Sequence, residues 1–213
     1  MITEELIRVL ASDVRAVPRH AVGQRITLGM VAGAAISLLL VGGVVGIRPD
    51  LDVAMRDFSF WVRCAYAVTL GLGAILTTAS LARPESMRPR GLWLVGVPVL
   101  LLMGIGIAEM AYASPHEWQA LWLGRAWRAC PWLILLLSVP IFAGLLWSFH
   151  QFAPARPRAA GAAAGLAAGA WSAALYCLHC PEVSAVYVLT WFSLGIGLAA
   201  AIGAMLGRPL LRW

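Results

Sequence analysis

Four cysteines, Cys64, Cys130, Cys177 and Cys180, are the residues of this chain best equipped for chemistry. Cys177-Leu178-His179-Cys180 has the two-residue spacing of redox and soft-metal sites, and an even number of thiols permits disulfides in an oxidising compartment. Cys130 is followed by Pro131, and Cys180 by Pro181 and Glu182, which predicts each thiol at the cap of a helix, facing its positive end. That setting favours the thiolate. Cys130 and Cys180 are therefore the candidates for oxidation, soft-metal binding or a mutual disulfide, with His179, Glu182 and Cys177 as contributors. The alternative, cysteine packing as a small hydrophobe, stands beside this for all four and is the reading adopted for Cys64.

Two charges, Arg63 and Glu109, fall inside apolar stretches. An unpaired charge in a membrane costs at least about 2.5 kcal/mol, so the two are predicted to face each other as a buried ion pair, or to face a polar vestibule. No catalytic constellation accompanies them. The chain has no lysine to follow a phosphate-binding loop, no Ser/His/Asp set that its topology would bring together and no paired histidines on one helix face. Polar groups do not continue through the other apolar stretches, which argues against transport. A non-enzymatic sensor or scaffold with no required cofactor remains, with transient soft-metal binding at the cysteines left open.

These residues must be positioned by helices in a bilayer. Hydrophobic residues make up 61% of the 213 and charged residues 12%, with a mean hydropathy of +0.82. Both are far from globular averages. Six stretches, near 26–47, 60–81, 92–113, 129–147, 160–179 and 185–206, supply the roughly 20 residues a spanning helix needs. The predicted fold is all-α and polytopic: a cytoplasmic N-terminal segment 1–25, a six-helix transmembrane domain 26–206 and a cytoplasmic tail 207–213. Eleven arginines fall on the side of the termini and five on the other, which places both termini inside. The formal charge of +6 then describes a basic inner face suited to anionic lipid or an acidic protein, and no nucleic-acid motif is present.

Within the first segment, Ile2, Leu6, Val9, Leu10 and Val14 recur at helical spacing, which predicts an amphipathic helix that lies on the membrane or docks a partner. Outside, Ser114-Pro115-His116-Glu117 has capping-box spacing before Trp118, Trp122 and Trp127, as expected of an interfacial helix. Glycines four apart (Gly29 and Gly33, Gly42 and Gly46, Gly161 to Gly169, Gly203 and Gly207) predict close helix contacts, either within one bundle or between copies of it.

Particular motifs resemble a known family. The runs Leu137-Ser138-Val139-Pro140, Ala153-Pro154-Ala155-Arg156-Pro157, Gly161 to Gly169, Leu175 to Glu182 and Leu210-Leu211-Arg212-Trp213 are similar to the NrsF family, and so is the opening Glu5 to Asp13. His179-Cys180-Pro181-Glu182 is the most distinctive element. The resemblance implies a six-span anti-sigma factor of the bacterial inner membrane. It would hold an extracytoplasmic-function sigma factor and release it under an outside stress, heavy metal or oxidant. It implies Cys130 and Cys180 as the sensory pair, and Leu6, Ile7, Arg8, Leu10 and Asp13 as sigma contacts. Cys177 departs from the family pattern, and Cys64 has no family role. The rival from another class is a membrane thiol oxidoreductase that exchanges electrons between periplasmic dithiols and quinone.

Overall fold

The computed structural model describes residues 21–81, 90–149 and 157–210, and these are helical apart from their connections. Helix α1 (Ala21–Leu40) runs on into a π-turn at Val41–Val45, and the short α2 (Leu51–Ala54) leads to α3 (Phe58–Leu81). Helices α4 (Arg90–Tyr112), α5 (Trp118–Leu123), α6 (Cys130–Phe149) and α7 (Pro157–Tyr176) follow. The last rod comprises α8 (Ala185–Tyr187), a π-turn at Val188–Phe192 and α9 (Ser193–Leu210).

Five of these helices are long and apolar enough to cross a bilayer: Gly23–Val45, Phe58–Thr77, Trp93–Tyr112, Cys130–Ser148 and Ala185–Leu210. Their outward faces are apolar as well. Leu39 is 76% exposed, Leu100 65% and Ile107 65%, far more hydrocarbon than water tolerates on a soluble surface.

The remaining long helix, α7, is built from alanine and glycine and is the least apolar of the set. It is also the innermost, packed between α3, α6 and α9. Small side chains let neighbouring backbones approach where lipid provides no hydrophobic drive between helices. At Gly161 a Cβ would overlap the Gly203 carbonyl, and at Gly144 of α6 one would overlap Gly29 of α1. By contrast, Gly42 and Gly46 have open space around them, and their spacing marks no contact within the bundle.

Buried hydroxyls reinforce these crossings by donating to carbonyls of a neighbouring helix: Ser37 Oγ to Leu137 O at 2.8 Å, Ser172 Oγ to Ile134 O at 2.8 Å and Ser148 Oγ to Arg25 O at 2.8 Å.

Candidate functional site

Connections 46–57, 113–129 and 177–184 meet at one end of the bundle, and the third is held by almost everything around it. Helix α7 closes with His179 N and Cys180 N both donating to Tyr176 O at 3.0 Å, after which the chain runs without helix to Ser184. A non-helical stretch leaves N–H and C=O groups unpaired, and burying them demands partners.

Each partner comes from a different element. Arg48 N donates to Leu178 O at 3.2 Å, and His179 Nδ1 lies 2.7 Å from Gly46 O. Arg63 Nη1 donates to the carbonyls of Cys180, at 3.4 Å, and of Glu182. Glu109 Oε2 accepts from Ala185 N at 2.8 Å, Ser184 Oγ at 3.1 Å and Val186 N at 3.4 Å, so it sits at the positive end of the last rod. Glu182 Oε1 accepts from Arg125 N at 2.6 Å. Gly124, next to Arg125, has φ +57° and leaves no room for a Cβ against the Glu182 carboxyl and the Tyr187 ring. Only glycine combines that conformation with that contact.

The expected Arg63–Glu109 ion pair is therefore absent. Arg48–Asp50, at 2.6 Å, is the single salt bridge among the described residues. Its hydrogen bonds hold the Asp50 carboxyl below the usual carboxylate range and raise Arg48. Arg63 and Glu109 meet through the backbone instead, the cation on carbonyls and the carboxylate on N–H groups of residues 180–186. A non-helical segment offers both kinds of partner.

Beneath this loop lie the thiols. Cys130 is the first residue of α6, one position past the cap that its Pro131 predicted, with its N–H donating to Ala126 O at 2.9 Å, and is fully buried. Cys180 does not cap a helix. Ser184 occupies that position, with its Oγ accepting from Tyr187 N. Cys180 is also fully buried, and desolvation pushes its thiol up, the reverse of what a helix cap would do. Tyr176 and Tyr187 send buried hydroxyls into the cluster without a well-formed hydrogen bond. The polar groups they face are sulfur, Cys130 for both and Cys180 for Tyr176. Tyr176 thus bridges the two thiols. Cys64 packs against the same core that buries Cys177.

Sequence reasoning found Cys130, Cys177, Cys180, His179, Glu182, Arg63 and Glu109, and the structure gathers them at one end. It missed Tyr176, Tyr187, Arg48 and the partner of Cys64. The tyrosines flank the 177–184 connection directly, and polar rings beside a Cys-x-x-Cys were the available signal. Among the described residues no three His, Cys, Asp or Glu side chains are gathered to enclose a metal ion. Leu6, Ile7, Arg8, Leu10 and Asp13 lie outside the described residues.

Five helices long and apolar enough to cross a bilayer, closed at one end by a clamped connection, are the architecture of a helical membrane protein. The sequence model of the NrsF family, "Negative regulator of sigma F", matches residues 10–213. A protein of Azospira oryzae named "Probable anti-sigma-F factor NrsF" is 40% identical over the full length of both chains. The "Anti-sigma-F factor NrsF" of Caulobacter vibrioides is 39% identical, again over the full length of both. No solved structure matches. The chain belongs to the NrsF family.

Proposed function

We propose that this protein is a bacterial inner-membrane anti-sigma factor. It sequesters an extracytoplasmic-function sigma factor and releases it when Cys130 and Cys180 are oxidised or take up a soft metal. Membership of the family of negative regulators of sigma F carries the reading. In this reading α7 is a sixth span, because a helix of 20 residues surrounded by α3, α6 and α9 crosses wherever they cross. Both termini are then cytoplasmic, consistent with the arginine bias, and the clamped loop faces outside. The protein is not an enzyme; buried thiols under a closed loop suit a switch better than turnover.

Release requires a ligand or oxidant with different affinity for two arrangements of the bundle. The 177–184 connection joins α7 directly to the rod ending in α9, and those two helices share the glycine contacts around Gly161 and Gly203. Moving that loop moves the two most intimately packed helices.

The test is affinity purification of the tagged protein from its own host in mild detergent, with and without residues 1–20, followed by mass spectrometry. A sigma factor that comes down with the full chain and is lost on truncation is the expected outcome; an identical set of partners would refute it. Cys130→Ser with Cys180→Ser is expected to keep sigma bound and to abolish stress-induced release. Normal induction in that variant would sink the sensory assignment while leaving the anti-sigma reading intact.

A further inference from the structure

We infer that Cys64 and Cys177 are a second oxidisable dithiol, which a hydroperoxide converts to a disulfide tying α3 to the end of α7. The inference does not depend on sigma binding. Cys64 lies seven residues into α3 and Cys177 directly follows α7, and these helices pack against each other. Cys64 packs against the core cluster that contains Cys177, and each thiol is in the other's electrostatic environment. Their exposures differ in a useful way: Cys64 is half-buried and open to a small reagent, whereas Cys177 is fully buried, its thiol donating to Ala173 O at 3.4 Å. One sulfur can be attacked from outside, and the other waits beside it to resolve the product.

The neighbouring cation supplies the electrostatics. Arg63 is 1% exposed, has no carboxylate partner among the described residues and keeps one buried nitrogen, Nη2, without a hydrogen bond. It acts on both Cys64 and Cys177. A fixed positive charge with an unused donor stabilises the negative charge that develops on sulfur and peroxide oxygen during attack. In the first step the Cys64 sulfur attacks one peroxide oxygen. An S–O bond forms, the O–O bond breaks and the leaving oxygen takes the thiol proton, giving a sulfenic acid and an alcohol, or water from hydrogen peroxide. The Cys177 sulfur then attacks the sulfenic sulfur, the S–S bond forms, and the hydroxyl departs with the Cys177 proton as water. Two electrons pass from the dithiol to the peroxide.

The experiment uses the full chain in native membranes, carrying Cys130→Ser and Cys180→Ser so that only Cys64 and Cys177 remain of the four thiols. After hydrogen peroxide, the protein is denatured, alkylated with a maleimide and digested for mass spectrometry. The expected result is loss of both alkylation sites together and a peptide pair linked through Cys64 and Cys177. Adding Cys64→Ser to this background is expected to abolish the link. Wild-type protein, treated alike, is expected to yield the same linked pair, which guards against a misfolded variant. Two thiols that stay fully alkylatable at a peroxide dose that oxidises Cys130 and Cys180 in the wild type would overturn the inference. So would a wild-type link from Cys177 to Cys180 in its place.

Discussion

Replacing Glu109 by glutamine tests the clamp on the 177–184 connection most directly, because the change keeps shape and one acceptor oxygen while removing the charge. Glu109 Oε2 takes two hydrogen bonds of good length, from Ala185 N at 2.8 Å and Ser184 Oγ at 3.1 Å. Charge-assisted bonds contribute about 1.5–3 kcal/mol against about 1 for neutral ones, so the substitution loses at least roughly 0.5 kcal/mol per bond. Removing a negative charge from a helix N-terminus adds about 0.3–1 kcal/mol. The sum is about 2 kcal/mol, or a roughly thirtyfold rise in the open population if the loop opens as a unit. Cys180 reports that opening, since it is fully buried when the loop is closed and is not among the donors to the Glu109 carboxylate. In membranes carrying Cys177→Ser, maleimide labelling of Cys180, followed by mass spectrometry of its peptide, is expected to accelerate about thirtyfold in Glu109→Gln. A rate within twofold of the parent would show that the carboxylate does not hold the loop shut.

Four further outcomes follow from the same geometry. Ser184→Ala removes both the cap on Tyr187 N and a Glu109 partner, and is expected to cost about 1 kcal/mol and to speed Cys180 labelling several-fold. Gly203→Val forces a side chain into the α7–α9 backbone contact and is expected to lower stability by about 3 kcal/mol or more, read as loss of monodisperse protein in a heated detergent extract. Gly124→Ala strains a positive φ and strikes Glu182, so it is expected to weaken the loop's tie to 124–125 and again to raise labelling at Cys180. Raising pH gives the fourth. Burial lifts the Cys180 thiol in the closed state, so above the free-thiol value of about 8.5 the opened segment ionises while the closed one does not, and closure loses stability as pH rises. Labelling is expected to keep climbing through pH 9; a plateau at the free-thiol value would refute the burial.

Much of this arrangement was legible before any coordinates, because hydropathy fixes where helices can lie and small-residue spacing fixes where they can touch. The long helices fall within a few residues of the predicted stretches, and the glycines of α7 and α9 meet as their spacing implied. The Gly42–Gly46 pair makes no contact within the bundle, because four-residue spacing implies a face only inside a regular helix. Those residues lie in and just after a π-turn, with Gly46 at φ +88°.

The reading of Arg63 and Glu109 failed more instructively. Matching two opposite charges at equal depth assumes that each needs the other, which holds only while every backbone group between them is spent on helical hydrogen bonds. Pro181 prevents that: it has no N–H, and it disfavours helix at Cys180 before it, so carbonyls at 180 and 182 take the cation while the N–H groups of 185 and 186 take the carboxylate. A proline four residues before a predicted span start, flanked by buried charges on other helices, is therefore better read as a segment to be gripped than as a cap. The grip explains why the same eight residues carry two of the thiols: a connection held from four directions is the one place at this end where a covalent change at sulfur cannot be absorbed locally.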